Sequence, residues 1–246
     1  MARPKVVGLQ AAFEAMEPGA AHISAGADPV SKLQDVTYQK IRQALMAGRF
    51  EPGQAFTIRA LAAVFGTSPM PVRDALKRLV AEHALELRPN RTVVLPHMSR
   101  SRFQEILQIR LALEPMLTHR ALAHITAADI EAMAQDHAAM CAAVERSVAV
   151  DYLAANRRFH FRLYEAAGTV VMLDMVEGLW MQIGPYLHQI FSSHKTGTAT
   201  ADHHHNDVLR ALRRKDASAA AEAIWRDLSD AGDEILAGNL FVGEQS

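Results

Sequence analysis

Residues 57–79 constrain the fold most strongly, because they encode two helices separated by a tight turn. Thr57 precedes an apolar segment, 58–65, that ends at Gly66, which is typical of a helix with a threonine N-cap and a C-terminal glycine. Ser68 then precedes a proline, and proline is favoured at the first helical position because its missing N–H would have no partner there. The stretch therefore predicts a helix-turn-helix whose second helix is capped by Ser68.

The segments on either side of these two helices complete a winged domain. An amphipathic helix over 36–48 comes before them. Residues 85–88 and 92–95 alternate between apolar and polar around a Pro-Asn-Arg tripeptide, which predicts a β-hairpin. Residues 34–97 thus predict a winged helix-turn-helix, with the second helix in the major groove of DNA and the hairpin tip against the backbone or minor groove. The alternative is a small helical domain that does not bind DNA.

Charge is distributed unevenly along the chain. Residues 34–97 contain nine Lys and Arg against five Asp and Glu, whereas residues 98–246 contain 14 against 19, and the whole chain has a net charge of -1. A basic module joined to an acidic one indicates that only the first meets a polyanion.

The remaining composition excludes several classes of protein. A single cysteine, Cys141, excludes a disulfide framework and a zinc site built on several thiolates. No run approaches about 18 apolar residues and the first residues lack a signal pattern, so we expect a soluble cytoplasmic protein with no membrane partner. Residues 1–33 are rich in Gly, Ala and Pro, and we expect a flexible arm with a short helix near Gln10–Met16.

Residues 98–240 have a helical period almost throughout. Helices with short connections predict an antiparallel bundle, so the expected fold class is mainly α with the small β-hairpin of the wing. The predicted helices cover a stretch around 103–117 and then 126–148, 152–167, 172–194, 203–214 and 217–236, with an interruption near Gly184-Pro185.

Three stretches of the first domain resemble the GntR family of bacterial transcription regulators. They are YQKIRQALMAGRFEPG at 38–53, LA at 61–62 and SPMPVRDALKRL at 68–79. The resemblance implies DNA contacts from an arginine early in the second helix, from the recognition helix and from the wing tip. The candidate DNA-binding residues are Arg59, Ser68, Met70, Arg73, Lys77, Asn90 and Arg91.

The first domain departs from the family pattern at two positions. Many members have arginine where Pro69 stands, so a guanine-reading side chain is absent and the operator sequence of those members is not expected here. Thr92 stands where a wing glycine is common, which is expected to change the bend of the wing.

The second domain resembles the effector-binding domain, called FCD, of the FadR-type branch of this family. The resemblance is carried by RLALE at 110–114, FHFRL at 159–163 and the apolar spacing that follows His205. It implies a homodimer, and a two-fold operator fits paired recognition helices. Effector binding in the bundle would then change the spacing or orientation of the two DNA-binding domains.

A polar cluster is predicted inside the bundle. Asn156 and His160 are four residues apart and share one helix face with Tyr152, and that face points inward. His205 and Asp227 lie at similar distances from a turn near 215–216, so an antiparallel hairpin puts them at the same height. Two imidazoles among four polar groups suit a divalent transition metal.

The FadR-type resemblance implies a metal site made of an Asp and a His four apart and two later His residues. The matching positions are Asn156, His160, His205 and Asp227, so the carboxylate has moved from the first position to the last. The expected ion is zinc, nickel or manganese, and no organic cofactor is expected. The alternatives are a polar core that binds an organic ligand directly and a histidine pair with a purely structural role.

Arg110 and Tyr152 are candidate effector contacts. Arg110 lies on an apolar stripe, where a cation needs a partner; an effector carboxylate and Glu114, four residues on, are the two candidates. In the run 203–205, at most one histidine faces the centre of the bundle, and the spacing to later apolar residues selects His205.

These observations predict a ligand-responsive transcription regulator, a repressor, whose binding to operator DNA is modulated by a small organic acid, a divalent metal or both. The chain has no GxGxxG, P-loop, HExxH or GxSxG motif, so an enzyme is not expected. The alternatives are a metal-dependent enzyme with an accessory DNA-binding domain and an effector-independent DNA-binding protein.

Overall fold

The computed structural model describes residues 9–14, 29–193, 198–238 and 240–241. The chain divides into two compact units, Met1–His97 and Met98–Ser246, which are described separately below. Mostly helical elements with one small antiparallel sheet confirm the predicted fold class. None of the helices in the described ranges is long and apolar enough to cross a membrane.

The first unit contains the predicted helix-turn-helix. The side chain of Thr57 accepts a hydrogen bond from the backbone N–H of Ala60, and Gly66 ends the first helix with a φ of 60°, as the sequence predicts. The inner face of the second helix is buried and carries Ala75, Leu76 and Leu79. The helices of this unit are α1 (Leu9–Glu14), α2 (Pro29–Met46), α3 (Ile58–Phe65) and α4 (Pro69–Ala81).

The predicted cap of α4 is correct in its position but not in its hydrogen bond. Ser68 occupies the N-cap position with an extended backbone, but its side chain makes no capping hydrogen bond. An N-cap side chain accepts from the second or third residue of its helix, and the third residue here is Pro71, which has no N–H. The hydroxyl of Ser68 is therefore not engaged in capping.

The wing is a three-stranded sheet rather than a simple hairpin. The strands are β1 (Ala55–Phe56), β2 (Glu86–Leu87) and β3 (Val93–Val94), and β3 lies between the other two with antiparallel pairing. Ala55 pairs with Val94 and Phe56 with Val93. Strand β1 was not predicted, because a strand of two residues is too short to show a recognisable alternation.

The arm expected over 1–33 lies mostly outside the described residues, which omit 1–8 and 15–28. The short helix expected near Gln10–Met16 is α1, and it belongs to the folded unit: the ring centroid of Phe13 lies 4.7 Å from that of Phe65 and 5.7 Å from that of Phe50. Helix α2 also begins earlier than predicted, inside the range assigned to the arm.

The second unit is a bundle of helices. Neighbouring pairs are α6 with α7, and α10 with both α5 and α9. Phe103, Ile106, Ile183, Tyr186 and Ile235 form one buried cluster that joins three helices. The helices are α5 (Arg100–Ala121), α6 (Ala127–Glu145), α7 (Ala149–Glu165), α8 (Val170–Ser193), α9 (Thr198–Arg213) and α10 (Ala217–Ala237).

The interruption predicted near Gly184-Pro185 is wrong, because α8 runs through Pro185. A proline inside a helix removes one backbone hydrogen bond and strains the preceding turn. Ile183 and Tyr186, one on each side of the proline, are almost fully buried, and the Tyr186 hydroxyl accepts a hydrogen bond of 2.6 Å from the Met98 N–H. These contacts hold both halves of α8 against the bundle, which offsets the local cost of the proline.

Candidate functional site

The seven predicted DNA-binding residues are all exposed on the first unit. Arg73 and Lys77 are four residues apart on one face of α4, and the Lys77 ammonium lies 3.8 Å from the Asp74 carboxylate. Met70, in the first turn of α4, keeps 55% of its surface exposed. Arg59 is exposed on α3. These exposed side chains are both polar and apolar, the two kinds of contact by which proteins read base edges.

The N-terminus of α4 has few backbone donors for a phosphate. The first four N–H groups of a helix lack partners within the helix and attract anions. Pro69 and Pro71 have no N–H, so only Met70 and Val72 supply donors within that first turn. Pro69 and Pro71 therefore leave fewer backbone donors here than a helix N-terminus usually offers, and the Ser68 hydroxyl is an additional donor at this end.

The wing tip is a tight turn that displays Asn90 and Arg91. The Arg91 N–H donates to the Arg88 carbonyl at 2.8 Å, and Arg91 has a φ of 61°, a left-handed conformation that costs a non-glycine residue energy. The Asn90 side-chain oxygen accepts from the Thr92 N–H at 3.1 Å, which stabilises the turn. The basic tip thus forms without a glycine at position 92.

Three of the four predicted metal ligands meet inside the bundle. The Nε2 atoms of His160 on α7 and His205 on α9 lie 3.2 Å apart. One oxygen of Asp227 on α10 is 3.4 Å from the His160 Nε2, and the other is 3.7 Å from the His205 Nε2. All three side chains are more than nine-tenths buried. His205 and Asp227 therefore lie at the same height in the α9–α10 hairpin, as their spacing from the turn predicts.

Burial shifts the ionisation of these groups. Burial, followed by the neighbouring His205 and Arg110, holds the pKa of His160 well below its usual range, so its ring is neutral. Burial raises the pKa of Asp227 to about 7. A buried carboxylate beside two imidazoles is an unfavourable arrangement unless it binds a proton or a cation.

The spacing of the three groups fits a divalent ion. Their ligand atoms all lie within 4.8 Å of one another. The two Nε2 atoms lie 3.2 Å apart, and each lies 3.4 or 3.7 Å from one of the two Asp227 oxygens. Ligands that each lie about 2 Å from one ion, the length of a bond from zinc to a histidine nitrogen or a carboxylate oxygen, have separations of this order. Two imidazoles and one carboxylate are a donor set that transition metals accept.

Asn156, the fourth predicted ligand, lies one turn before His160 on α7 and is half-buried. Within the described ranges, no hydrogen bond or ion pair connects its amide to the other three groups. Its role as a ligand stays a prediction.

Arg110 has a partner inside the protein. Its Nε donates to a carboxylate oxygen of Glu114 at 2.5 Å, its guanidinium lies over the Trp180 ring at 4.9 Å, and both charged side chains are buried. Of the two partners considered for Arg110, the structure therefore supplies Glu114. Tyr152, the other predicted effector contact, packs against Phe191, with ring centroids 4.9 Å apart and planes tilted by 31°. An effector role stays a prediction for both Arg110 and Tyr152.

The run of histidines at 203–205 directs His205 to the centre of the bundle, as its spacing predicts. His205 faces the centre of the bundle, whereas the His204 Nε2 lies 2.7 Å from a carboxylate oxygen of Asp230 on α10. The side chain of His203 lies outside the described residues.

Tyr164 and Trp180 adjoin the cluster of His160, His205 and Asp227 and were not predicted from the sequence. The Tyr164 hydroxyl donates to Glu114 at 2.6 Å and lies 3.0 Å from the His160 Nδ1, while the Trp180 N–H donates to Glu114 at 3.1 Å. Tyr164 is four residues after His160 and so shares its helix face, which was the signal available. Trp180, on another helix, left no such signal.

Two family models match the chain. A model described as "Bacterial regulatory proteins, gntR family" matches residues 33–95, and one described as "FCD domain" matches residues 105–230. The second alone covers about half of the chain.

Curated relatives are transcription regulators. The chain is 29% identical over 153 residues to the HTH-type transcriptional regulator McbR of Escherichia coli K12, covering 62% of this chain and 69% of that protein. It is 22% identical over 208 residues to the repressor RspR of the same organism, covering 85% and 91% of the two chains. It is 23% identical over 222 residues to the gluconate operon transcriptional repressor of Bacillus subtilis 168, covering 85% and 86%.

Solved structures share the fold. Escherichia coli McbR/YncC superposes with a TM-score of 0.75 at 25% identity and covers 80% of this chain and 93% of its own. A regulator described as GntR from Rhodococcus sp. RHA1 superposes with a TM-score of 0.67 at 19% identity, covering 85% and 99%. These families and relatives are regulators and not enzymes.

Proposed function

The chain belongs to the GntR family of DNA-binding transcription regulators and carries an FCD effector domain, and on that premise we propose that it is a ligand-responsive repressor. The proposal puts a divalent metal in the bundle and a small carboxylate effector on that metal. We also propose that the protein is a homodimer and that it binds chromosomal DNA in the cytoplasm. The cluster of His160, His205 and Asp227 is the observation that carries the effector part of the proposal.

DNA binding is tested first through Arg73. Its guanidinium is exposed on α4, where it reaches base edges or phosphate, and one such contact contributes roughly 1–3 kcal/mol. Arg73→Ala should lower the affinity for an operator selected from random DNA by about 5–150-fold, which is the equivalent of that contribution. Fluorescence anisotropy at fixed salt measures the change. Arg226→Ala is the matched control, because Arg226 is an exposed arginine of the second unit paired with Glu222. Unchanged affinity for Arg73→Ala would contradict this docking.

The wing contributes a different kind of contact. Arg91→Ala should weaken binding to all sequences to a similar degree and lower the salt slope by about one phosphate contact. A loss restricted to one base position would instead place Arg91 in direct base readout.

The metal would be held by His160, His205 and Asp227, with Asn156 as the candidate fourth ligand. A bound divalent ion would neutralise the buried carboxylate and attract the carboxylate of an effector. Arg110 is already paired with Glu114, which favours the metal over Arg110 as the effector's anchor.

Metal analysis and native mass spectrometry of the purified protein test this site. His160→Ala should lose the stoichiometric metal and the response of DNA binding to organic acids, whereas His119→Ala, which changes an exposed histidine of α5, should retain both. A parent protein without metal after reconstitution, but with a response to an organic acid, would favour a pocket that binds the organic ligand directly.

An apolar face on α5 and α8 supports the homodimer. Ile109 and Met116 of α5 and Val171 and Met175 of α8 are each 46–67% exposed. The two helices are neighbours, and a hydrogen bond of 2.8 Å from Arg102 to Gln182 joins them. Exposed apolar surface shared by two adjacent helices is typical of a subunit interface.

Sedimentation analysis of two variants tests the dimer. Met175→Glu should produce monomers, whereas Trp225→Glu, which adds the same charge at a partly exposed tryptophan on α10, should leave the dimer intact. The opposite result would place the interface on α10.

A further inference from the structure

A chain of buried hydrogen bonds leads from the metal cluster to the first helix of the bundle. The His160 Nδ1 lies 3.0 Å from the Tyr164 hydroxyl oxygen, and that hydroxyl donates to Glu114 at 2.6 Å. Glu114 also accepts from Arg110 at 2.5 Å and from the Trp180 N–H at 3.1 Å. None of these five residues is more than 5% exposed, so water does not compete for the hydrogen bonds.

The positions of the protons along this series of hydrogen bonds follow from counting the donors and acceptors of each side chain. The Glu114 carboxylate accepts hydrogen bonds from Arg110, from the Trp180 N–H and from the Tyr164 hydroxyl. The single hydroxyl proton of Tyr164 therefore points to Glu114. The Tyr164 oxygen has only lone pairs left for His160, so the His160 Nδ1 has to carry the hydrogen in that contact.

We propose that Tyr164, held by Glu114, is a positioning residue that fixes His160 in the tautomer protonated at Nδ1. The lone pair of Nε2 then faces His205 and Asp227, ready to bind a cation. A histidine ligand whose other ring nitrogen donates to an oxygen is oriented for metal binding and is a stronger base. The value of this arrangement to the protein rests on the proposed metal site, but the tautomer itself is a property of the metal-free chain.

The same argument sets the tautomer of His205. Its Nε2 lies 3.2 Å from the His160 Nε2. Because the His160 Nε2 carries a lone pair, that contact is attractive only if His205 carries hydrogen on its own Nε2. The two histidines thus have opposite tautomers without metal. A bound cation requires lone pairs on both Nε2 atoms, so the neutral His205 ring has to give its Nε2 proton to water and take one up from water at Nδ1, while the proton on the Nδ1 of His160 stays.

Long-range nitrogen–proton correlation spectra of the metal-free full-length protein, labelled at histidine, test the proposal. We expect the His160 ring, assigned by its loss in His160→Ala, to be neutral and protonated at Nδ1, and the His205 ring to be protonated at Nε2. A His160 ring protonated at Nε2 would overturn the proposal. This measurement needs no other variant to fold and no metal to bind.

Tyr164→Phe supplies the second test. Without the hydroxyl, His160 should populate both tautomers, and the affinity for zinc, measured by competition with a chelating dye, should fall about 10–100-fold. Tyr186→Phe is the control, since it removes another buried hydroxyl of the same unit that contacts Met98 instead of the cluster. An affinity within about twofold of the parent, or a retained Nδ1 tautomer, in a folded Tyr164→Phe protein would refute the role of Tyr164.

The outcomes separate this inference from the proposed function. If the parent binds no metal but shows the expected tautomers, the metal proposal fails and the positioning by Tyr164 stands. If the parent binds zinc while His160 is protonated at Nε2 in the metal-free state, the metal proposal stands and the role of Tyr164 fails.

Discussion

Asp227→Asn should stabilise the metal-free protein although it removes a candidate metal ligand. Burial raises the pKa of Asp227 to about 7, against about 4 in an unfolded chain. A carboxyl whose pKa is raised by folding contributes stability that is present below about pH 4 and is lost as the pH rises through about 7. At pH 8 the folded protein therefore carries a buried carboxylate that disfavours folding.

The size of the effect follows from that shift. Each pKa unit corresponds to about 1.4 kcal/mol, so three units give a penalty of about 4 kcal/mol at pH 8 and about 1–2 kcal/mol at pH 5. Asparagine has a similar shape and no charge. The variant should gain free energy of unfolding of this order at pH 8 and less at pH 5.

Urea denaturation followed by tryptophan fluorescence measures the change. Both tryptophans, Trp180 and Trp225, lie in the second unit, so the signal reports the domain that contains Asp227. Protein concentration has to be fixed, because a dimer's stability depends on it. Asp233→Asn, on the exposed face of α10, is the control and should change little. A destabilised Asp227→Asn at pH 8, or an equal gain at both pH values, would refute the reasoning.

Three further perturbations probe the same region. Metal affinity measured by calorimetry should rise between pH 6 and pH 8, because at pH 6 the ion has to displace the proton of Asp227; a flat profile would argue against Asp227 as a ligand. Asn156→Asp should lower the melting temperature without metal, through repulsion from Asp227, and increase the gain on adding zinc, nickel or manganese; insensitivity to all three would exclude Asn156 from the site. Arg110→Met should cost about 3–5 kcal/mol in urea unfolding because it leaves Glu114 buried without a cation, and Arg110→Met with Glu114→Gln should recover part of the loss; a cost under about 1 kcal/mol would mean that the pair is not structural.

Local signals in the sequence predicted most of the elements but not all of their details. Thr57 and Gly66 mark helix ends through their own backbone and side-chain chemistry, so the helix-turn-helix was predictable. Ser68 makes no capping hydrogen bond. Pro71, the third residue of α4, has no N–H to donate to it, and the Ser-Pro pair that predicts the cap ends two residues earlier, at Pro69. Pro185 predicted an interruption of α8. The local sequence carries no information about the buried packing of Ile183 and Tyr186, which keeps the helix continuous.

The site shows the same division. His160 and Asn156 share a face by spacing alone, and a hairpin aligns His205 with Asp227. The contact between Tyr164 and Glu114 joins two helices whose crossing is set by the packing of the whole bundle. Periodicity within one helix carries no information about that crossing.

The sharing of Glu114 among three donors has a consequence for how this protein can change over generations. Replacing Arg110, Tyr164 or Trp180 alone leaves the buried carboxylate with fewer partners, and replacing Glu114 alone strands three donors at once. The effects of such substitutions are strongly non-additive, so the fitness of one depends on which of the others has already occurred. Related chains that have lost Glu114 should therefore also have apolar or smaller residues at the positions of its donors, and intermediates that changed only one member should be rare.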